Sequence, residues 1–342
     1  MNVPSLIGGS FEDDFFPFSL TRSVADFRCG ILTIREKWNY HLKDNPSFPA
    51  GISIPANIIP NHELVQSICE NNAGFAPGKT TMLLQLPDIL LYNLPEIKKD
   101  FDLITRGRHS APISSSNKLT GSGIFLEPGA IVEHSYLNAS EGPVYIGRDA
   151  LVMEGSMIRG PFALGEKSVV KMGAKIYGAT SIGPGCVTGG EIKNSIIFGY
   201  SNKAHDGYLG DSIIGEWCNL GAGSTNSNMK NSGGSVKLWN PIKKKAVNAG
   251  LKCGLMMGDY SRSAINTSFN TGTVVGPASH VFGNGATPSY LPGFSWGYEQ
   301  EVYDFERAIQ HIGKWKKLKG QVLKNEEIII LKNIFDQQNQ RK

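Results

Sequence analysis

Lys193, Lys203, His205, Asp206 and Tyr208 lie close together in the chain, and Asn219 and Asn228 follow soon after. An imidazole in a loop rich in Gly, Lys and Asn is suited to take a proton from an attacking amine or hydroxyl near neutral pH. Two lysines beside it supply charge for phosphate oxygens. A lone His is more often a hydrogen-bonded surface residue. This one is set apart by its position, in the break of an otherwise unbroken repeat.

The repeat is read in sixes. Ile146, Val152, Ile158, Leu164, Val170, Ile176 and Ile182 each follow the last by six positions. Four places after each stand Ala150, Ser156, Phe162, Ser168, Ala174, Thr180 and Cys186, all small but the Phe. A helix places its apolar stripe at a period of 3.6 and a plain strand at two, so neither produces six. An aliphatic residue and a small one per hexad specify a parallel β-helix, three hexads to a triangular coil. After Thr188 the register fails. It resumes at Ile214 and Leu220, and the offset of 32 from Ile182 to Ile214 is not a multiple of six. The expectation is a coil with inserted residues or a bulge across Gly189–Ser212, the kind of irregularity that carries function on a rigid scaffold.

The bulk composition sets limits. The 342 residues suffice for two or three domains. Gly numbers 40, well above the roughly 7% of ordinary proteins, which fits tight corners. A net charge of +4 does not call for nucleic acid but suits anionic small substrates. The Lys243–Lys245 run and the lysines of 314–319 read as solvated faces rather than nucleic-acid patches. The five cysteines are scattered and never paired as CxxC, which disfavours a disulfide framework or zinc ribbon and points to a reducing cytoplasm. His134, His205 and His280 lack ligand-pair spacing, so no metal site is assigned. No nucleophile elbow supports Ser/His/Asp catalysis. No signal peptide or membrane span is expected.

Residues 1–112 carry no hexads and read as a small α/β domain. Its helix candidates are Ser23–Tyr40 in part, His62–Glu70, and a pair at Leu86–Leu94 and Pro95–Ile104. Gly107–Gly123 reads as a linker or entry loop. Asn226–Lys252 is a second irregular stretch, and coils resume around Met257, Ile265, Val275 and Val281. Pro288–Gly297 reads as an exit, and the apolar faces after Tyr298 predict two helices that cap the solenoid or pack on a neighbour. The fold class is therefore mainly β: a left-handed parallel β-helix over 113–297, with the small α/β domain before it and a helical segment over 298–342.

Two stretches resemble a known family. Lys203-Ala204-His205, Tyr208-Leu209-Gly210-Asp211 and Asn219-Leu220-Gly221-Ala222-Gly223 are similar to the acetyltransferase half of the bifunctional N-acetylglucosamine-1-phosphate uridyltransferase/glucosamine-1-phosphate N-acetyltransferases. The match runs over about residues 146–230. Residues 17–38, from Pro17 to Trp38, resemble the P-L-T-x-T-R-P-V-A-x-L-R-x-G-I-L-T-I-R-E-K-W stretch of a variant of that family or of sugar nucleotidyltransferases. Their usual G-x-G-T-R loop is absent, and Gly8-Gly9-Ser10 is the nearest sequence.

The resemblance implies an acetyl-CoA-dependent N-acetylation of an amino-sugar 1-phosphate. In it His205 is the base, and Lys193, Tyr208 and Asn219 bind the sugar phosphate. Lys175 stands where the family uses Arg, and Asn228 lies near the thioester. Lys237 is a stand-in for a downstream Lys of the family, which continues N-Y-D-G where this chain has Asn228-Met229-Lys230-Asn231. Arg22, Arg28, Arg35 and Lys37 form a cationic set for pyrophosphate, with a nucleoside triphosphate and Mg2+ as the implied co-reactants; the bland reading is a solvated, salt-bridged face. A cytoplasmic homotrimer with sites between subunits is implied as well. Two other functions stay open: a sugar-1-phosphate nucleotidyltransferase (uridylyl or thymidylyl) whose β-helix is a scaffold, and a non-catalytic β-helix assembly protein.

Overall fold

The computed structural model describes residues 3–70 and 80–339. Its centre is a three-sided, left-handed parallel β-helix of about ten turns. The chain visits the sides in a fixed order. Side A runs from Lys118–Thr120 through Tyr136–Asn138, Met157–Arg159, Lys175–Tyr177 and Glu191–Lys193 to Tyr208–Gly210. Side B has nine strands, from Ile124–Leu126 to Tyr290–Leu291. Side C starts at Ile131–Val132 and includes Asn202–Lys203; single bridges at Asn219 carry it on to Arg262–Ser263 and His280–Val281.

Each strand pairs with the one a coil earlier, so the inward residues stack in columns. Ile146, Leu164, Ile182, Ile197, Ile214, Met257, Val275 and Leu291 form the column of side B, all buried. The hexad aliphatics and their small partners are all buried, including Phe162 and the free thiol Cys186.

The register break is a contraction, not the insertion or bulge expected. Successive column residues are 18 apart at Leu164 and Ile182, then 15 at Ile197 and 17 at Ile214. Only Gly189 and Gly190 join side C to side A there, where the coil before uses residues 171–174. The insertion lies in the second irregular stretch. Ile214 pairs with Met257, 43 residues on. The excess forms an antiparallel hairpin, Lys237–Asn240 against Lys245–Asn248.

Ile265 is not a column residue; it is 68% exposed, and Phe269, in a two-stranded ladder with Thr225–Asn226, enters the solenoid core instead. The second half of the expected linker is already the first strand of side A, Lys118–Thr120. The expected exit at Pro288–Gly297 holds strands Tyr290–Leu291 and Ser295–Trp296.

Residues before the solenoid form a jacket on side B. Helix α1 (Ile34–Lys43) starts at a capping box of Thr33 and Glu36. Helix α2 (His62–Cys69) is capped by Asn61. The expected helical pair is one helix, α3 (Leu86–Thr105), with Pro95 inside. A proline there removes the bond to the carbonyl of residue 91. Leu91 is 68% exposed, so that carbonyl lies on the wet flank of the helix.

Phe15, Phe18, Phe27 and Trp38 share one core with Ile196, Phe198, Ile213, Met256 and Val274, the outward residues of side B. The hairpin adds Val236 and Leu238. Asn93 of α3 is fully buried and ties the layers together. It accepts from the Gly30 N–H at 2.8 Å and the Ser181 hydroxyl at 3.0 Å, and donates to the Ala179 carbonyl at 2.7 Å.

The last helices, α4 (Phe305–Leu318) and α5 (Asn325–Asn339), pack on the corner between sides B and C. That corner has a left-handed residue in every coil: Gly129, Asp149, Lys167 and Gly185, then Tyr200, Trp217, Tyr260, Ala278 and Phe294. Left-handed backbone costs a non-Gly residue roughly 1–2 kcal/mol. The late coils offset it by burying aromatic rings under α4 and α5, with Tyr200 and Trp217 stacked at 4.5 Å. Asn93→Ala leaves the Gly30 N–H and the Ala179 carbonyl unpaired, and is expected to lower unfolding free energy by about 3 kcal/mol at the usual ~1–3 for each. Urea denaturation checks this; a change below about 0.5 kcal/mol counts against the hub role.

Candidate active site

His205 lies on the corner between sides C and A, and its side chain is exposed. Its backbone is held from below. Lys203 occupies the inward column of side C, in register with Thr188, and is 2% exposed. Its Nζ donates to the Gly189 carbonyl at 3.0 Å and to the His205 carbonyl. Burial pushes the Lys203 ammonium down to about 8, against a smaller opposing effect of Asp206.

The contracted corner makes this reach possible and leaves no space for a side chain. A Cβ on Gly190, at φ +70°, would stand 2.7 Å from the His205 carbonyl oxygen and 2.9 Å from Asp206 Cα.

Beyond the corner, side A presents its outward residues. Register places Lys175 beside Glu191 and Glu191 beside Tyr208, while Tyr177 lies beside Lys193. Neighbouring strands in a sheet are about 4.8 Å apart, so these side chains share one small face. Tyr177 donates to Glu191 at 2.6 Å. The Asn228 amide donates to the Tyr208 hydroxyl at 3.1 Å and to Asp211, and Asn194 donates to Asp211 at 2.7 Å. The hydrogen bond to Glu191 pushes the Tyr177 phenol up to about 12; burial, reinforced by Asp211, does the same for Tyr208. Both are neutral donors at neutral pH. Lys175 and Lys193 make no ion pair among the described residues. The face therefore offers two cations free of ion pairs among the described residues, two phenols and two carboxylates, with an exposed imidazole on the adjoining corner. That set suits a small sugar with an anionic group and an amine.

Lys175, Lys193 and Tyr208 thus share the outer face of side A, with Asn228 bonded to Tyr208, and His205 stands on the corner that leads into this face. Asn219 does not join them: it sits on side C between Asn202 and Arg262, where its Oδ1 accepts from Asn202 at 3.3 Å. Lys237 is exposed on the hairpin, paired in register with Asn248. The four basic residues near the N-terminus bind protein groups separately. Arg22 bonds Asp259 and, at 2.8 Å, Glu216. Arg28 donates to the Ile31 carbonyl and lies 3.9 Å from Glu36. Arg35 forks onto Asp26 at 2.6 and 3.1 Å. Lys37 is buried between Glu96, at 2.8 Å, and Asp100. Sequence reasoning assigned no role to Tyr177, Glu191, Asn194 or Asp211. Tyr177 and Glu191 each stand one residue from a column aliphatic, Ile176 and Ile192, and that spacing marks them as outward-facing.

Comparison with known proteins supports the resemblance. A family model described as sugar nucleotidyl transferase matches residues 8–52, the segment that contains all four of those basic residues. The bifunctional protein GlmU of Methanocaldococcus jannaschii is 41% identical over 86 residues, 25% of this chain and 21% of the relative. Over that stretch this chain resembles the GlmU proteins. The GlmU of Methanococcus maripaludis is 35% identical over 111 residues, 32% of this chain and 26% of its own length. A bifunctional sugar-1-phosphate nucleotidylyltransferase/acetyltransferase of Sulfurisphaera tokodaii is 32% identical over 93 residues, 27% of this chain and 23% of the relative. The matched stretch spans about a quarter of the length of these relatives. No helix among the described residues is long and apolar enough to cross a membrane.

The interior lysine gives a pH signature. Its pKa is about 8 in the fold and 10.5 as the ordinary value, so between these pH values the unfolded chain binds more protons than the native one. Stability contributed by this group therefore rises with pH across that window. Denaturant unfolding from pH 7.5 to 10.5 is expected to show that rise in the wild type relative to Lys203→Met; parallel curves would place the Lys203 ammonium in water.

Proposed function

We propose that this chain transfers an acetyl group from acetyl-CoA to the amine of an amino-sugar 1-phosphate. The reading rests above all on the exposed His205 imidazole at the corner leading into a face with two lysines that make no ion pair among the described residues. The GlmU relatives support it by their names, and the spacing H-x-x-Y-L-G-D from His205 to Asp211 matches that family's K-A-G-H-x-x-Y-L-G-D pattern, although this chain has Lys203-Ala204 directly before His205 without the intervening Gly.

In this reading Lys175 and Lys193 hold the phosphate as point charges. Neither forks onto an oxyanion as an Arg would, so positioning falls to the neighbours. Tyr208, Asn228 and Asp211 form a pre-bonded set for sugar hydroxyls, and Glu191 draws the amine towards the face. His205 takes the amine proton as nitrogen attacks the thioester carbon; the carbon–sulfur bond then breaks and coenzyme A leaves as its thiol. Backbone N–H groups at a coil corner are suited to the developing oxyanion.

The same face extends over the exposed Tyr136 and Met157 into an open groove of about 680 Å³, with Arg159 at its edge. An apolar patch of this kind fits a subunit contact, as does the homotrimer that the family resemblance implies. Light scattering is expected to give three 37.1 kDa chains per particle. A monomer would remove the shared-site part of the proposal.

A second reading is nucleotidyl transfer by the N-terminal segment, with a nucleoside triphosphate and Mg2+; the match over residues 8–52 favours it. Arg22, Arg35 and Lys37 are already paired with carboxylates, so acetyl transfer ranks first. Calorimetry with acetyl-CoA and with a nucleoside triphosphate separates the two, and silence with both favours a non-catalytic assembly protein. With glucosamine 1-phosphate as acceptor, His205→Ala is expected to lower kcat by about 10²–10⁴, the range of general-base catalysis. Lys193→Ala is expected to raise KM for the sugar phosphate about tenfold or more. An unchanged His205→Ala rate ends the base assignment.

A further inference from the structure

An ammonium inside the solenoid has to be accounted for. The inward column of side C runs Val132, Val152, Val170, Thr188, Lys203, then Leu220, Ser263 and Val281. Lys203 is its one cationic member. A neutral aliphatic would fill the column at lower desolvation cost, since buried charge destabilises unless well paired. Among the described residues no carboxylate bonds this ammonium. Its partners are two backbone carbonyls on successive corners, Gly189 below and His205 above.

Three features converge on that bridge. The contracted corner of Gly189 and Gly190 sets a carbonyl within reach of the column. Gly190 has no Cβ to obstruct Nζ, which would stand 2.9 Å from one. The other carbonyl belongs to His205, whose imidazole is exposed on the corner leading into the lysine-bearing face.

We propose that Lys203 is a positioning residue: its ammonium straps the corner at residues 204–207 to the coil beneath and fixes where the His205 imidazole stands. The inference rests on the reading of His205 as the base, but the strap can be measured without it. Lys203 touches no substrate in this scheme and acts only through the His205 backbone. An electrostatically neutral filler of similar length would keep the core filled and lose the strap.

The test uses full-length Lys203→Met, with Lys203→Val as the second variant because Val occupies this column in three earlier coils. Amide hydrogen exchange at Glu191, Tyr208 and Gly223, whose N–H groups bond the Gly207 carbonyl, the Thr225 hydroxyl and the Asp206 carbonyl, is expected to quicken at least tenfold in both variants, with exchange in the coils of Leu164 and Ile182 unchanged. In acetyl transfer, kcat is expected to fall about tenfold or more while KM for both substrates stays within about threefold. Exchange at Glu191, Tyr208 and Gly223 equal to wild type in a folded variant overturns the strap, whatever the activity does. If the wild type transfers no acetyl group, the base reading fails, and the exchange measurement still decides the strap. If exchange quickens but kcat is unchanged, the strap exists without the positioning role, and the proposal fails on that count.

Discussion

Every coil of this protein has to keep its backbone in register with the coil before it. A buried N–H or C=O without a partner costs about as much as a lost hydrogen bond, and here those partners lie one full turn away in the chain. Coil length is therefore fixed along the straight sides, and any change in residue number has to be absorbed at a corner. That constraint organises the molecule. The residues lost after Ile182 come out of corners and leave the ladders intact, and the long excess before Met257 loops out as a hairpin that seals the N-terminal jacket. The candidate site sits one coil above the corner that was shortened.

Polar residues enter the interior at the same level. Thr188, Lys203 and Asn226 interrupt columns that are aliphatic in the earlier coils. Asn226 bonds both the N–H and the carbonyl of Gly210, the residue that ends the last strand of side A. Lys203 does the equivalent on the next corner round. Two polar side chains inside the triangle thus fix the two ends of the segment that carries His205 and Tyr208. The core there gives up hydrophobic burial for backbone placement.

Much of the fold was legible. The strict hexads from Ile146 to Ile182 imposed the triangular coil because only period six puts one aliphatic residue on each side. The break was legible as a place but not as a sign: an offset of 32 residues is either two coils short by 4 or one coil with 14 extra, and only pairing decides that two coils are spanned. Ile265 misled because hydrophobicity alone does not distinguish a column from a corner. At the site, Lys175, Lys193, Tyr208 and Asn228 were legible through family motifs. Asn219 was placed with them by the same route, yet it faces a different side, since motif spacing carries no information about which edge of the triangle a residue occupies. The basic residues before Trp38 look alike in sequence, but their carboxylate partners, such as Asp259 for Arg22 and Glu96 for Lys37, are distant in the chain.

The corner between sides B and C has a further bearing on how the molecule holds together. A solenoid is a row of near-identical units, each stabilised chiefly by its neighbours, and such a row loosens first at whichever end has the weaker boundary. At the late end, Tyr200, Trp217, Tyr260 and Phe294 run along one edge like teeth, and α4 and α5 clasp them together. At the early end, Ala111 and Ile113 pack on the first coil, but among the described residues no pair of helices covers it, and Leu119, in register with the column residue Leu137, is 42% exposed. The row therefore has a polarity: opening spreads from the first coils inward, and the candidate site lies well along it, close to the clasped end.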